Sequence, residues 1–213
     1  GYSLNNVEMI EYKNIDENLY NTTGKIRKVS GGAVWNASCR SLKSFDLSSN
    51  IKGVEFYISD NNLQESYIGL TSLSNDLLDV SNNIEFSLLR TPGGVKNNSK
   101  FVIYESSIEK LNIGDDNIEN TLYIRDKISI FVNNKHVEFY LNNGLVYTSE
   151  KEVSGNDIYL YMTVKEEGNV FEEITWSRKD DFDWIQRGSE MMSIEISNNI
   201  DILLDSENKL NSL

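Results

Sequence analysis

The chain has 213 residues, a formal net charge of −13 and a pI near 4.5. A surface that binds nucleic acid must neutralise phosphates with clustered Lys and Arg, so this acidic composition argues against nucleic-acid partners. No apolar run approaches the length of a membrane-spanning helix, and we expect no membrane insertion.

In chain order, residues 1–23 are polar with scattered aliphatics and are predicted to form an N-terminal extension or a lone edge strand. From residue 24 to residue 177, short strand patterns recur between turns rich in Gly, Asn and Asp, without a long helical period. This organisation predicts one all-β domain, an antiparallel two-sheet sandwich. The predicted strands are 25–29, 33–37, 52–59, 66–71, 84–90, 100–105, 121–125, 128–133, 136–142, 145–149, 158–164 and 171–176.

The clearest pattern lies in residues 126–149. Apolar side chains alternate with other side chains in residues 128–133 and again in residues 136–142. Residues 145–149 are predicted to run back alongside the second segment. Turns at Asn133-Asn134 and Asn142-Asn143-Gly144 separate the three segments, and Asn and Gly tolerate the positive φ that tight hairpins require. We therefore predict three consecutive antiparallel strands here.

Residues 178–213 are predicted to form a C-terminal extension that packs on the sandwich or mediates assembly. A 4-3 spacing, compatible with an amphipathic helix or the start of a coiled coil, relates Met192, Ile196, Asn199, Leu203, Ser206, Leu210 and Leu213. The polar Asn199 and Ser206 interrupt its apolar seam. Residues 193–197 alternate and fit a strand equally well. Residues 190–213 are therefore a candidate segment for homo-oligomer formation.

Five motifs within residues 24–177 resemble strands of a known superfamily. They are Gly53–Ile58 ("GxVEF"), Tyr67–Thr71 (ending in "GL"), Ile84–Leu88, Phe101–Glu105 (ending in "vyE") and Val137–Ser149 ("VxFYxNGxLxYTS"). The pattern resembles the concanavalin A-like jelly-roll superfamily of lectins and glucanases, and its last hairpin is also similar to SPRY domains. More narrowly, it is similar to the non-catalytic modules of adhesins, viral and phage surface proteins and large extracellular proteins.

The resemblance implies a jelly-roll sandwich located outside the cell, on a cell surface or on a virion. Its partner would be a glycan, bound on the concave face of one sheet, or a cell-surface protein. Two other functions remain open: a structural or assembly domain of a viral or phage fibre or capsid, and an SPRY-like protein-binding module with its site in loops at one end of the sandwich.

Catalytic constellations are not recognisable in the sequence. Glycosidases of this superfamily carry their two carboxylates in an ExDxxE-like spacing, whereas Glu172 and Glu173 are adjacent and would face opposite sides of a strand. The only histidine, His136, lies beside a predicted turn, and Cys39 is the only cysteine, so a zinc site of four Cys and His ligands is excluded. We expect Cys39 to be a small buried apolar residue and the chain to be non-enzymatic.

Calcium is the one ion for which the sequence offers a candidate site. Asp115, Asp116, Asn117 and Glu119 place several oxygen ligands within one segment, although their spacing is not that of an EF-hand. The calcium site of legume-type lectins is not implied by the resemblance, because Tyr57 stands where those proteins need an aspartate. No other cofactor is expected.

Aromatic residues are the candidates for contacting a ligand, since the C–H face of a sugar stacks on Trp or Tyr and neighbouring amides bind its hydroxyls. Trp35 and Asn36 are adjacent and form one candidate pair. Tyr159 and Tyr161 lie two apart on a predicted strand and share a face, opposite the more apolar Leu160 and Met162. We predict that the two tyrosines point outward and form part of a ligand surface.

Overall fold

The computed structural model describes residues 9–22, 25–58, 65–72, 79–92, 99–113, 126–172, 174–180 and 182–183. Within these ranges no helix is long and apolar enough to cross a membrane. In chain order the elements are β1 (Tyr12–Asn14), β2 (Leu19–Thr22), β3 (Lys25–Lys28), β4 (Ala37–Ser41), β5 (Phe45–Asp46), β6 (Ile51–Tyr57), β7 (Ser66–Thr71), α1 (Val80–Asn83), β8 (Phe86–Pro92), β9 (Ser99–Glu105), β10 (Ile108–Ile113), β11 (Lys127–Asn133), β12 (His136–Leu141), β13 (Gly144–Glu152), β14 (Asp157–Val164), β15 (Gly168–Glu172) and β16 (Thr175–Arg178).

The strands form two large antiparallel sheets and one small sheet. The eight-stranded sheet has the order β1-β4-β14-β7-β8-β9-β10, with β5 also paired to β14. The five-stranded sheet has the order β13-β12-β11-β6-β16, and β15-β3-β2 form the small sheet. The predicted all-β antiparallel sandwich is confirmed.

The main core lies between the two large sheets. Alternation along β14 directs Leu160 and Met162 into it from the eight-stranded sheet, and β6 contributes Val54 and Phe56 from the five-stranded sheet. Cys39 is fully buried in the same core, as the sequence predicts. The two sheets are held together by apolar burial, and each sheet keeps a second face directed away from the core.

The hairpins predicted around residues 126–149 are present. Asn134 and Lys135 have φ values of 49° and 66°, and Asn142 and Asn143 have 48° and 69°, so both turns have two left-handed central residues. Such turns match the twist of the strands that they join. The first turn lies one residue later than predicted, because Asn133 pairs with His136 in the ladder.

Several observed strands differ from the predicted ones, and the short β5 was not predicted. The strand predicted at 33–37 is wrong: residues 30–36 form a loop with Gly31 and Gly32 at positive φ, and the strand is β4. The segment 171–176 contributes to two sheets, through β15 and β16. Strand β10 was not predicted, because a register shift between Glu109 and Leu111 breaks its alternation.

The ends of the chain are described in part. β1 is an edge strand of the eight-stranded sheet, paired with β4, and Ile10 reaches the main core. Phe182 packs against Phe131 and Tyr140 on the outer face of the five-stranded sheet. The predicted strand 121–125 and the candidate assembly segment 190–213 lie outside the described residues, and the domain boundaries stay predictions.

Candidate functional site

The outer face of the eight-stranded sheet carries the tyrosines that the sequence singles out. On β14, Leu160 and Met162 belong to the main core, whereas Tyr159 and Tyr161 lie on the opposite face, as their spacing predicts. Tyr161 is nevertheless fully buried. The expectation that Tyr161 faces solvent is therefore wrong, and in this conformation its ring contacts no ligand.

A second small apolar cluster covers Tyr161. Val80 and Ile84, at the two ends of α1, pack over it. Gly69 is its neighbour across the β14–β7 ladder, where a Cβ would lie 2.1 Å from the Phe86 carbonyl oxygen of β8 and 2.8 Å from Ile84 Cγ2. Tyr159 is half-buried, and the Arg40 guanidinium lies 4.8 Å from the centre of its ring. The helix thus closes this part of the sheet face.

Three other aromatic side chains on the same face are half-buried and keep part of their surface exposed, and we call Trp35, Tyr67 and Tyr104 the aromatic row. The ring centres of Trp35 and Tyr67 are 5.1 Å apart, and those of Tyr67 and Tyr104 are 5.8 Å apart. Burial, together with nearby Tyr104 and Glu65, raises the pKa of Tyr67 to about 12, so its hydroxyl stays protonated at neutral pH. The row presents aromatic surface and hydroxyl groups together.

The loop before β4 carries Trp35. Asn36, the other half of the predicted pair, is engaged inside the protein: its Oδ1 accepts from Lys28 Nζ at 2.7 Å, and its Nδ2 donates to the Gly31 carbonyl at 3.1 Å. The structure therefore brings Trp35 to the candidate site and assigns Asn36 to holding the loop.

Lys28 is buried beneath this loop, with 1% of its surface exposed. Its Nζ donates to the carbonyls of Gly32, Val34 and Lys165 at 2.6, 2.8 and 2.7 Å, in addition to Asn36 Oδ1. An ammonium has only three N–H groups, so the four acceptors share them. Buried lysines occur in proteins when they are paired in this way.

The surroundings of Lys28 are negatively charged, although its four acceptors are neutral oxygens. Burial is the largest influence and lowers the pKa of Lys28 below its ordinary value, and the charges of Glu167, Glu166 and Asp16 oppose this shift only in part. The carboxylates therefore favour the ammonium without fully offsetting the cost of its burial.

The edge of the aromatic row is tied to the turn between β14 and β15. Lys165 Nζ lies 3.1 Å from Glu65 Oε2, and the Glu65 backbone N–H donates to Glu166 Oε2 at 2.8 Å. The Gly32 N–H donates to Glu167 Oε1 at 3.1 Å. These contacts join the Trp35 loop, the turn and the start of β7 into one polar border beside the row.

A second concave feature lies at one end of the sandwich, and we call it the end cleft. It has a volume of about 640 Å³, within the range of ligand sites. Its lining consists of Asp46, Leu47, Ser48, Lys52, Val132, Asn134, Lys135 and Asn156, drawn from three loops and three strands.

Three buried or half-buried carboxylates are hydrogen-bonded within the fold. Half-buried Glu85 accepts from Ser72 and Thr71, and buried Glu105 accepts from Tyr147 and from two backbone N–H groups. Buried Glu138 accepts from the Tyr140 hydroxyl and from Asn133 Nδ2. Burial by itself raises the pKa of Glu85 and Glu105, but these hydrogen bonds outweigh it and lower both values. The general acid of a glycosidase needs a raised pKa instead.

Among the described residues, His136 and the acidic side chains also lack the arrangement of a nucleophile–base pair or of a metal site. His136 Nδ1 lies 2.9 Å from the carbonyl oxygen of Ser149, not from its hydroxyl, so the pair is not a nucleophile and its base. Within the described ranges no group of three His, Cys, Asp or Glu side chains is placed to hold a metal ion. The candidate calcium ligands Asp115, Asp116, Asn117 and Glu119 lie outside those ranges.

No family model and no curated protein sequence matches the chain. Similar solved structures include the carbohydrate recognition domain of Emp47p, at 10% identity and a TM-score of 0.47, covering 81% of this chain and 91% of that one. The TRIM65 PSpry domain has 9% identity and a TM-score of 0.49, covering 81% and 90%. A Bacillus licheniformis beta-glucanase has 12% identity and a TM-score of 0.40, covering 81% and 92%. Structures of the lectin, glucanase and SPRY types that the sequence resembles are thus among those similar to the chain, and the likeness concerns the fold.

Sequence reasoning missed Tyr67 and Lys28. Tyr67 and Ile68 are adjacent on one strand, so their side chains face opposite sides of the sheet. Because Ile68 lies in the main core, Tyr67 faces away from it, and the sequence could have indicated this orientation. Lys28 carried no such signal, because its acceptors come from a loop and from Lys165, 137 positions away in the sequence.

Proposed function

We propose that the chain is a non-enzymatic recognition module that binds a glycan over the aromatic row, in a protein exposed outside the cell or on a virion. The observation that carries the proposal is the row itself, three partly exposed rings in contact on the outer face of a sheet whose other face forms the core. Aromatic faces and polar side chains side by side are what sugar rings require.

The position of the row supports this function. The neighbouring part of the same face is closed by α1, so Tyr161 is used for stability, whereas Trp35, Tyr67 and Tyr104 keep part of their surface in solvent. The polar border formed by Glu65 and Lys165 offers acceptors and donors for hydroxyl groups next to the rings.

A broad glycan array, probed with residues 1–213 in multivalent form, tests the proposal. We expect dose-dependent binding to a chemically related set of glycans, and the Trp35→Ala variant to bind at least about 30-fold more weakly, since a central aromatic contributes about 2 kcal/mol or more. Titration calorimetry with the best glycan measures the change.

Tyr57→Ala is the matched control, because Tyr57 is half-exposed on the five-stranded sheet, away from the row. Its affinity should equal that of the wild type. Equal losses in both variants, or no glycan binding by a folded sample, would contradict the proposal. The array is run with and without calcium, and a requirement for calcium would indicate that the segment from Asp115 to Glu119 contributes ligands.

The end cleft favours a second function, recognition of a protein segment by loops. Its acceptors are partly satisfied within the protein: Asp46 Oδ1 accepts from the Ser48 N–H at 2.7 Å and from the Ser48 hydroxyl at 2.6 Å. Lys135 is exposed at the rim, at the tip of a tight hairpin. A cleft of this kind suits a segment that brings carboxylates or carbonyls.

Charge reversal at the cleft separates the two functions. If the end cleft is the binding site, the wild type should capture an acidic peptide from a peptide array, Lys135→Glu should lose this capture, and neither protein should bind glycan. If the aromatic row is the site, as we propose, Lys135→Glu should bind glycan with wild-type affinity, and peptide capture should be absent from both proteins.

A further inference from the structure

We infer that Lys28 is a positioning residue for the aromatic row: its buried ammonium holds the loop of residues 30–36 in the conformation that places Trp35 against Tyr67. The expected effect of Lys28 on glycan binding rests on the proposed function. Its expected effect on the position of Trp35 does not depend on that function. Lys28 itself touches no ligand, because only 1% of its surface is exposed.

The backbone of the loop is arranged around the ammonium. Gly31 and Gly32 have φ values of 96° and 69°, a region that glycine adopts without strain. The carbonyls of Gly32 and Val34 then point at Lys28 Nζ, while the Val34 side chain is half-exposed. Trp35 lies between two residues that are both bonded to the same nitrogen, Val34 and Asn36.

The fourth acceptor connects the loop to the strand that carries Tyr67. The Lys165 carbonyl accepts from Lys28 Nζ, and the Lys165 backbone N–H donates to the Glu65 carbonyl at 3.0 Å, two residues before Tyr67. The ammonium of Lys28 therefore fixes the position of the loop of residues 30–36 relative to β7. Without it, four oxygens lose the Lys28 donor, and the Gly32 and Val34 carbonyls keep only the N–H groups of Val34 and Asn36, at 3.1 and 2.9 Å. The loop is therefore expected to rearrange and admit water.

The test is the Lys28→Ala variant with chemical rescue. We expect the indole N–H signal of Trp35 in a ¹H–¹⁵N spectrum, assigned with Trp35→Phe, to shift or broaden, while that of Trp176, which packs on Phe45, stays in place. Glycan affinity should fall about tenfold or more, as for a site that is only fractionally in its competent conformation. n-Propylammonium supplies the atoms removed by the substitution and should restore both the Trp35 signal and the affinity.

Two controls separate positioning from general stability. n-Propanol has a similar size without the charge and should not rescue, and Arg27→Ala, an exposed neighbour on β3, should leave the Trp35 signal unchanged. An unshifted Trp35 signal in Lys28→Ala, or equal rescue by propanol, would overturn the inference. If the wild type binds no glycan, the proposed function fails, while the Trp35 signal and its rescue still decide the role of Lys28.

A milder variant keeps the inference testable if Lys28→Ala does not fold. Asn36→Ala removes one of the four acceptors and leaves the ammonium in place. We expect it to shift the Trp35 signal in the same direction by a smaller amount. A folded Asn36→Ala protein with wild-type Trp35 and Trp176 signals would contradict the inference.

Discussion

The Gly53→Ala variant is expected to lose about 4 kcal/mol or more of its free energy of unfolding, the largest effect of any single methyl group considered for this chain. Gly53 lies in β6, between β11 and β16 in the five-stranded sheet. A Cβ at this position would lie 1.9 Å from the Ile130 carbonyl oxygen and 2.8 Å from Phe131 Cα. Both are backbone atoms of the paired strand, so relief requires the strands to separate.

Denaturant unfolding followed by circular dichroism measures the change in the free energy of unfolding. In thermal unfolding, the midpoint temperature should fall by roughly 8–16 °C, at about 2–4 °C per kcal/mol. Gly155→Ala is the matched control, because its Cβ would meet the side chain of Ser72 at 3.2 Å, which is able to move. A Gly53→Ala protein as stable as Gly155→Ala would show that β6 and β11 are not packed as described.

The Glu105→Gln variant is expected to be less stable than the wild type by about 2–3 kcal/mol at pH 7. The carboxylate is fully buried at the end of β9 and accepts from the hydroxyl of Tyr147, from the Glu150 N–H at 3.1 Å and from the Lys151 N–H at 2.9 Å. These donors belong to β13 of the opposite sheet, so Glu105 bonds the two sheets directly. An amide presents one oxygen where the carboxylate presents two, and one donor is left unsatisfied.

The pH dependence of this difference follows from the pKa of Glu105. Burial raises that pKa, but the hydrogen bonds from Tyr147, Lys151 and Glu150 and the charge of Lys110 outweigh it and hold it below 4.5. The stabilisation is therefore fully present above pH 4.5 and is lost as the pH falls through the folded-state pKa. In urea titrations from pH 7 to pH 3, the wild type and Glu105→Gln should converge below about pH 4.5, whereas exposed Glu17→Gln should follow the wild type throughout. A constant gap at all pH values would contradict this assignment.

Three of the motifs that resemble the concanavalin A-like superfamily acquire a physical meaning from these contacts. Gly53, directly before Val54, permits the close approach of β11, and Gly69, before Leu70, permits that of β8, since a Cβ there would lie 2.1 Å from the Phe86 carbonyl oxygen. The glutamate that ends "vyE" is Glu105. At these positions the resemblance therefore reports constraints of the fold.

Local sequence determined the strands and hairpins of this protein, because alternation and turn chemistry act between near neighbours. The alternation on β14 correctly assigned the two faces of Leu160 and Tyr161, and Asn-rich turns located the hairpins to within one residue. Where local rules were interrupted, by the bulge at Glu109 and by the glycines before β4, the strand predictions failed.

The tertiary structure alone decided which outward side chains reach solvent. Tyr161 and Tyr67 both point away from the core, yet α1 covers the first and leaves the second beside Trp35. Burial of an outward residue depends on a segment far away in the chain, and the position of Trp35 depends on an ammonium that bonds oxygens of two segments, the loop of residues 30–36 and the turn after β14. Neither the burial of Tyr161 under α1 nor the position of Trp35 depends on a regular spacing of residues. Neither can therefore be predicted from a pattern in the sequence.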